Sequence, residues 1–210
     1  MRNPWKSIEL EKYEAHMRLD SVLQLQTLNR MMAAQLSVYP AASVMILGIA
    51  GGNGLEHIHP QDFSKVYGVD INEAYLNACS ARYPALQGIF EPICVDLTQE
   101  SAVLPHADLL IANLLIEYIG YGCFQQAVMK AAPHYISCII QRNTDDAFVS
   151  DSPYLHVFDR LEEVHHDIQG KKLADALRQI GYAAAAQEET PLPNGKGLLR
   201  LDFIRKHGNR

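Results

Sequence analysis

The segment Ile46-Leu47-Gly48-Ile49-Ala50-Gly51-Gly52-Asn53-Gly54 constrains this chain more than any other. An apolar, strand-like run enters a glycine-dense turn, and a short helical piece follows from Leu55 to near Pro60. Glycine adopts positive φ without steric cost and lets a ligand approach the backbone closely. In open α/β sheets, ligands bind outside the carboxyl ends of the strands, where such a turn would lie. Asp70 ends the next apolar run, sixteen residues after Gly54. A carboxylate there can accept both hydroxyl hydrogens of a ribose. The plainer alternative is a tight strand-to-helix turn with a capping Asp.

The letters of the turn exclude two phosphate-binding patterns. A G-x-G-x-x-G match from Gly48 fails because Ala50 takes the place of the second glycine. Starting from Gly52, Gly54 fits, but His57 stands where the third glycine belongs. The phosphate-cradling P-loop fails as well, since no Gly-Lys-Ser/Thr follows.

Around this turn, strand-like and helix-like patterns alternate. SVMILGIA, KVYGVDI, PICVDL, ADLLIANLLI and HYISCIIQR read as strands. NEAYLNACSARY reads as a helix capped by Asn72, residues 118–132 as a second, and GKKLADALRQIGY as a third ending at Gly181. A helical piece is expected around Tyr154–His166. Residues 5–38 form two helical pieces, the second starting at Asp20 or Ser21 and stopped by Pro40. Asn194-Gly195 between two extended runs is a hairpin signal. The expected fold is α/β: a Rossmann-like three-layer sandwich whose sheet of seven strands is mostly parallel, with an antiparallel strand from the C-terminal hairpin. The expected organisation is a helical cap or lid over residues 1–40 and a ligand-binding domain over 41–210, with an insertion at 143–169 on the substrate side.

Composition narrows the function classes. The 210 residues suit one decorated domain, 48% hydrophobic content can build a core, and a net charge of −6 without basic blocks shows no clear nucleic-acid footprint. Every apolar run is too short for a membrane span, and the charged N-terminus does not read as a signal peptide. Cys79, Cys94, Cys123 and Cys138 form no CxxC pair; Cys94 and Cys138 lie in strand-like runs and read as buried, reduced thiols of a cytoplasmic protein. No metal site is indicated. Oligomeric state is not encoded in these patterns.

Together, the motifs resemble those of class I S-adenosylmethionine-dependent methyltransferases over roughly residues 42–206. Ala50, Gly52 and Gly54 take the family's glycine positions, and Asp70 matches the acidic residue that holds the cofactor ribose. Asp96, in Ile93-Cys94-Val95-Asp96-Leu97, matches the motif flanking the adenine. The run from Ala107 to Leu115 matches the motif beside the methionine end and the substrate. The resemblance implies S-adenosylmethionine as cofactor and direct in-line methyl transfer, to a small molecule since 113–116 reads Asn-Leu-Leu-Ile rather than a base-methylating Pro-Pro-Tyr type. It implies cofactor contacts from Gly48, Ile49, Ala50, Gly51, Gly52, Asn53, Gly54, Asp70, Ile71, Asn72, Asp96, Leu97, Asn113, Leu114 and Leu115. One departure stands out: Gly48 occupies the position of the family's first acid, so the contact to the cofactor's amino group must come from the turn backbone, Glu56 or the N-terminal segment, or be missing.

Other residues carry two readings each. Asp96 is an adenine-side group or a turn cap, and Asn113 a pocket wall or a satisfied turn amide. Glu117 and Tyr118, at a helix entrance, face substrate or merely favour the helix start. Tyr13, His16 and Met17 share one helical face and suit either a lid beside a sulfonium or ordinary packing. In the insertion, Tyr154, His156 and His165 are candidate substrate contacts, or surface groups. The candidate general bases are thus His16, Glu117, Tyr118 and His156. Two rivals remain: a non-catalytic cofactor-binding or regulatory protein with this fold, and an NAD(P)-dependent oxidoreductase.

Overall fold

The computed structural model describes residues 3–143 and 147–206. The parts of the expected lid, insertion and terminal strand region that fall on residues 1–2, 144–146 and 207–210 lie outside the described residues.

The chain runs α1 (Leu10–Arg18), α2 (Gln24–Val38), β1 (Ser43–Leu47), β2 (Lys65–Asp70), α3 (Glu73–Arg82), β3 (Phe90–Cys94), β4 (Leu109–Asn113), α4 (Ile116–Ala131), β5 (Tyr135–Arg142), α5 (Gly170–Gln179), β6 (Tyr182–Pro191) and β7 (Gly197–Arg205). The seven strands form one sheet in the order β3-β2-β1-β4-β5-β7-β6. β1 to β5 pair in parallel, and β7 inserts antiparallel between β5 and β6. The hairpin between β6 and β7 closes with Leu192 N–H on Lys196 O at 2.8 Å and Gly195 N–H on Leu192 O at 3.1 Å, a three-residue loop whose last residue, Gly195, is left-handed (φ 82°), not a two-residue Asn-Gly turn.

Strand alternation sorts the core into two layers. Val44, Ile46, Leu109 and Ile111 face α2 and α3, packing with Met32, Leu36, Leu76 and Cys79. Met45, Leu47, Leu110 and Ala112 face α4 and α5, packing with Phe124, Val128, Leu173 and Leu177. The sandwich is therefore three-layered, and α2 belongs to it.

Several local expectations are corrected. α2 starts at Gln24, later than Asp20 or Ser21, from a left-handed Leu23 (φ 53°) without a side-chain cap. The preceding turn, with Leu23 N–H on Leu19 O at 2.7 Å, buries Val22 completely, and that packing decides the start. Cys94 is exposed rather than buried, because β3 pairs only with β2 at the sheet edge; Cys79 and Cys138 are buried. The piece around Tyr154–His166 is 3₁₀ helix over Leu155–Glu163. The turn after β1 leads into only three 3₁₀ residues, Leu55–His57. α4 begins at Ile116 and is interrupted at Gly120 (φ 71°). Among the described residues, no helix is long and apolar enough to cross a membrane.

Candidate functional site

The parallel strands β1, β2 and β4 end side by side, and a crevice of about 70 Å³ opens at their carboxyl ends. Asp70, the last residue of β2, is 9% exposed and lines it. Its Oδ2 accepts the Ala50 N–H at 2.9 Å and its Oδ1 the Asn72 N–H at 2.9 Å. This carboxylate therefore fixes the glycine turn to the next strand. Burial pushes its pKa up, and the backbone amides of Asn72, Ala50 and Ile71 oppose the shift. A carboxylate has about four acceptor positions, so capacity for a further ligand remains.

The other walls come from three segments. Gly48 and Ala50 supply the turn; Ile71, Asp96 and Leu97 close the β2 and β3 side; Asn113, Leu114 and Leu115 close the β4 side. Ala50 (φ 48°) and Leu114 (φ 52°) both hold left-handed backbone without being glycine. Strain of this kind costs about 1–3 kcal/mol and concentrates at functional sites. Asp96 also caps its own turn, accepting the Thr98 N–H at 3.0 Å. The Asn113 amide exchanges hydrogen bonds with Gln35 of α2 (2.9 and 2.8 Å), so Asn113 is both a satisfied amide and a pocket wall.

The remaining turn residues stand elsewhere. Ile49 is buried in the α2/α3 layer. Gly51 and Asn53 line a smaller cavity beneath α1. A Cβ on Gly52 would meet Cys79 Sγ at 2.7 Å, and one on Gly54 would meet Met32 Cγ at 2.8 Å, so these glycines serve close packing. Asn72 caps α3, its Oδ1 accepting from Ala74 N, while its Nδ2 donates to the Trp5 carbonyl at 3.0 Å. Glu56 is committed to Asn29 and to the Gly54 N–H, away from the crevice, and drops out as a substitute for the missing acid.

Gly48 itself cannot simply take that acid. It sits at φ 67°, and a Cβ would lie 3.0 Å from Leu115 Cδ1. Gly48→Asp is expected to destabilise the fold by about 1–3 kcal/mol. Urea denaturation checks this, and an unchanged midpoint would contradict the backbone argument.

A second cavity, of about 60 Å³, adjoins the crevice. Trp5, Tyr13, Leu114 and Tyr118 line both and form the partition between them. Trp5 meets Tyr118 edge-on at 4.9 Å and Tyr13 at 5.6 Å. Met17 and His16 of α1 line the second cavity too, with His16 Nδ1 on Ser152 Oγ at 2.8 Å and its ring 4.8 Å from Phe158. Burial lowers the pKa of His16. α1 is held over the turn by the Glu14–Arg82 ion pair, whose second contact, Nη2 to Oε2, is 2.9 Å.

Glu117 is the most unusual group here. It is 6% exposed; Oε1 accepts the Gln141 N–H at 2.8 Å, while Oε2 is buried with no partner. Burial pushes its carboxyl up to about 7, against the hydrogen bond from Gln141. His165 stacks on Phe148 at 3.9 Å, and burial lowers its pKa. His156, by contrast, is 93% exposed in its side chain and paired with Asp159 at 3.4 Å, outside both cavities. Tyr154 packs with Ile8, Phe158 and Leu161 and lines neither cavity. Sequence reasoning missed Tyr75 and Ile119 in the crevice, and Gln24, Gln141 and Phe148 in the second cavity. None carries a local signal; only tertiary packing gathers them.

No protein-family model matches the chain, and no curated protein matches it in sequence. Solved structures do. An N-methyltransferase, NodS from Bradyrhizobium japonicum WM9, in complex with S-adenosylhomocysteine, superposes with TM-score 0.69 at 13% identity, covering 98% of this chain and 100% of that one. Magnesium protoporphyrin IX methyltransferase from Synechocystis PCC 6803, with bound S-adenosylhomocysteine, gives 0.68 at 12% identity, covering 98% of each. This chain has the class I methyltransferase fold. The [4+2]-cyclase SpnF is also similar, with TM-score 0.66 at 11% identity over 91% of this chain and 85% of that one. The antiparallel β7 between β5 and β6 separates this sheet from the 3-2-1-4-5-6 order of dinucleotide-binding folds.

Proposed function

We propose that this protein binds S-adenosylmethionine in the crevice and transfers its methyl group to a small molecule in the adjoining cavity. The observation that carries this reading is the shared partition: two cavities meet at Trp5, Tyr13, Leu114 and Tyr118, with the acidic strand end Asp70 in one and the unpartnered Glu117 in the other. Similar structures that hold S-adenosylhomocysteine support the choice of cofactor.

Asp70 would hold the ribose diol, Asp96 and Leu97 the adenine edge, and the Gly48–Ala50 backbone with Asn113, Leu114 and Leu115 the methionine end. When bound, the cofactor supplies an electrophilic methyl on a sulfonium. The aromatic faces of Tyr13, Trp5 and Tyr118 suit a cation at the partition. The lid would comprise α1 and the residues before it, with Tyr13 and Met17 facing the ligands, and the insertion would complete the acceptor side. Orientation of two ligands across one partition can supply about 7–11 kcal/mol of the barrier, against roughly 3–5 from a general base. Positioning is therefore the main task of these walls. The reading includes a cytoplasmic location, which rests on the four free thiols.

Asp70→Ala should weaken S-adenosylmethionine binding by several-fold to a hundredfold, about 1–3 kcal/mol. Isothermal calorimetry on the folded variant tests this, and an unchanged affinity would remove Asp70 from the site. A second reading, cofactor binding without methyl transfer, is favoured by Gly48 in place of the family acid. Binding without turnover toward any acceptor would support it.

A further inference from the structure

We infer that the second cavity is an ammonium site: the acceptor is a small primary or secondary amine, methylated on nitrogen, with Glu117 as its counter-ion and proton acceptor. This rests on the methyl-transfer reading above. Three independent features converge on it. First, Glu117 lines the cavity, and its Oε2 is buried without a partner. An orphaned carboxylate oxygen is costly unless a donor reaches it. Second, none of the described residues lining the cavity is Lys or Arg, and the Lys196 ammonium behind the wall is engaged by Asn143 and the Ala147 carbonyl, so an anionic acceptor would meet the Glu117 carboxylate with no cation on the wall itself. Third, the walls are aromatic, with Trp5, Tyr13, Tyr118 and Phe158 around the space, and aromatic faces favour a cation.

The groups facing Glu117 reinforce the charge argument. Tyr13 and His16 come from α1, Tyr118 from its own helix and His165 from the insertion. Burial raises both tyrosines and lowers both histidines, so above about pH 7 Glu117 is the wall group that carries charge. A cavity of about 60 Å³ has room for on the order of four or five waters. That suits a compact amine rather than a polymer side.

The step balances. The ammonium gives one proton to the Glu117 carboxylate, which frees the nitrogen lone pair. The lone pair forms the new N–C bond as the methyl's bond to the sulfonium sulfur breaks, and that electron pair stays on sulfur as a thioether. The product is the methylammonium, and the carboxyl proton leaves to solvent with product release.

The test uses matched ligands and a built-in reporter. Trp5 is the only tryptophan of the chain and lines the cavity. Butylamine, butanol and butyrate, then benzylamine, benzyl alcohol and benzoate, are titrated at pH 8 against Trp5 fluorescence. The amines should bind at least tenfold more tightly than the matched alcohols and carboxylates. Glu117→Gln should lose that preference while S-adenosylhomocysteine affinity, measured by calorimetry on the same sample, stays unchanged. No preference for amines, or a preference that survives in Glu117→Gln, overturns the inference. Absence of S-adenosylhomocysteine binding with the amine preference intact would instead overturn the methyl-transfer reading.

Discussion

Asp202→Ala is expected to cost about 3–5 kcal/mol of stability. Asp202 is 1% exposed, and Arg200 beside it is 6% exposed. The Arg200 guanidinium donates to Asp202 through Nε at 2.9 Å and through Nη2 at 2.7 Å. Removing the carboxylate strands a buried cation. It also removes the acceptor of the Ser137 hydroxyl (2.6 Å) and of Tyr39 OH (3.2 Å). Ser137 Oγ in turn accepts from Gln35, which pairs with Asn113 at the crevice, so the damage should reach the crevice wall. For a chain of this size, the loss corresponds to a fall in Tm on the order of 10 °C. Replacing both charges by leucine or methionine should recover most of it, because the desolvation cost disappears with the pair. Thermal melts of the single and double variants decide the matter; a single variant within about 1 kcal/mol of the parent would disprove the stranded-charge argument.

That network illustrates which features the sequence exposes. Strand and helix order, the hairpin at Asn194-Gly195 and the pairing of the glycine turn with Asp70 are local signals, readable from apolar periodicity and turn residues. The chain from Gln35 through Ser137 to Asp202 carries no such signal: its two links span 102 and 65 residues of sequence. The same holds for the second cavity, whose walls come from Trp5, α1, Leu114, the start of α4, the end of β5 and the segment from Phe148 to His165. Where local rules failed, a tertiary demand had won. Burial of Val22 displaced the start of α2, and the edge position of β3 exposed Cys94. His156 looked chemically useful by type, yet the 3₁₀ helix turns it to solvent.

Glu117→Gln is expected to raise stability at pH 8 by about 3 kcal/mol. Burial lifts the carboxyl from its ordinary 4.5 to about 7 in the folded protein. Between those two values the native state holds a proton that the unfolded chain has released. Stability from this group is therefore fully present below about pH 4.5 and is lost as pH rises through about 7. Glutamine keeps the acceptor for the Gln141 N–H and never ionises, so the variant escapes that loss. Urea denaturation of parent and variant at pH 4, 6 and 8 should show curves that coincide at the acid end and diverge as pH rises. A gap independent of pH, or a variant less stable at pH 8, would show that the carboxylate is not paying a burial cost. A residue kept at such a cost at a cavity wall points to use, since activity is commonly bought against stability at such positions. On the methyl-transfer proposal, turnover by the more stable variant should fall by roughly a hundredfold. Misfolding cannot then explain the loss, because the inactive protein would be the better folded of the two.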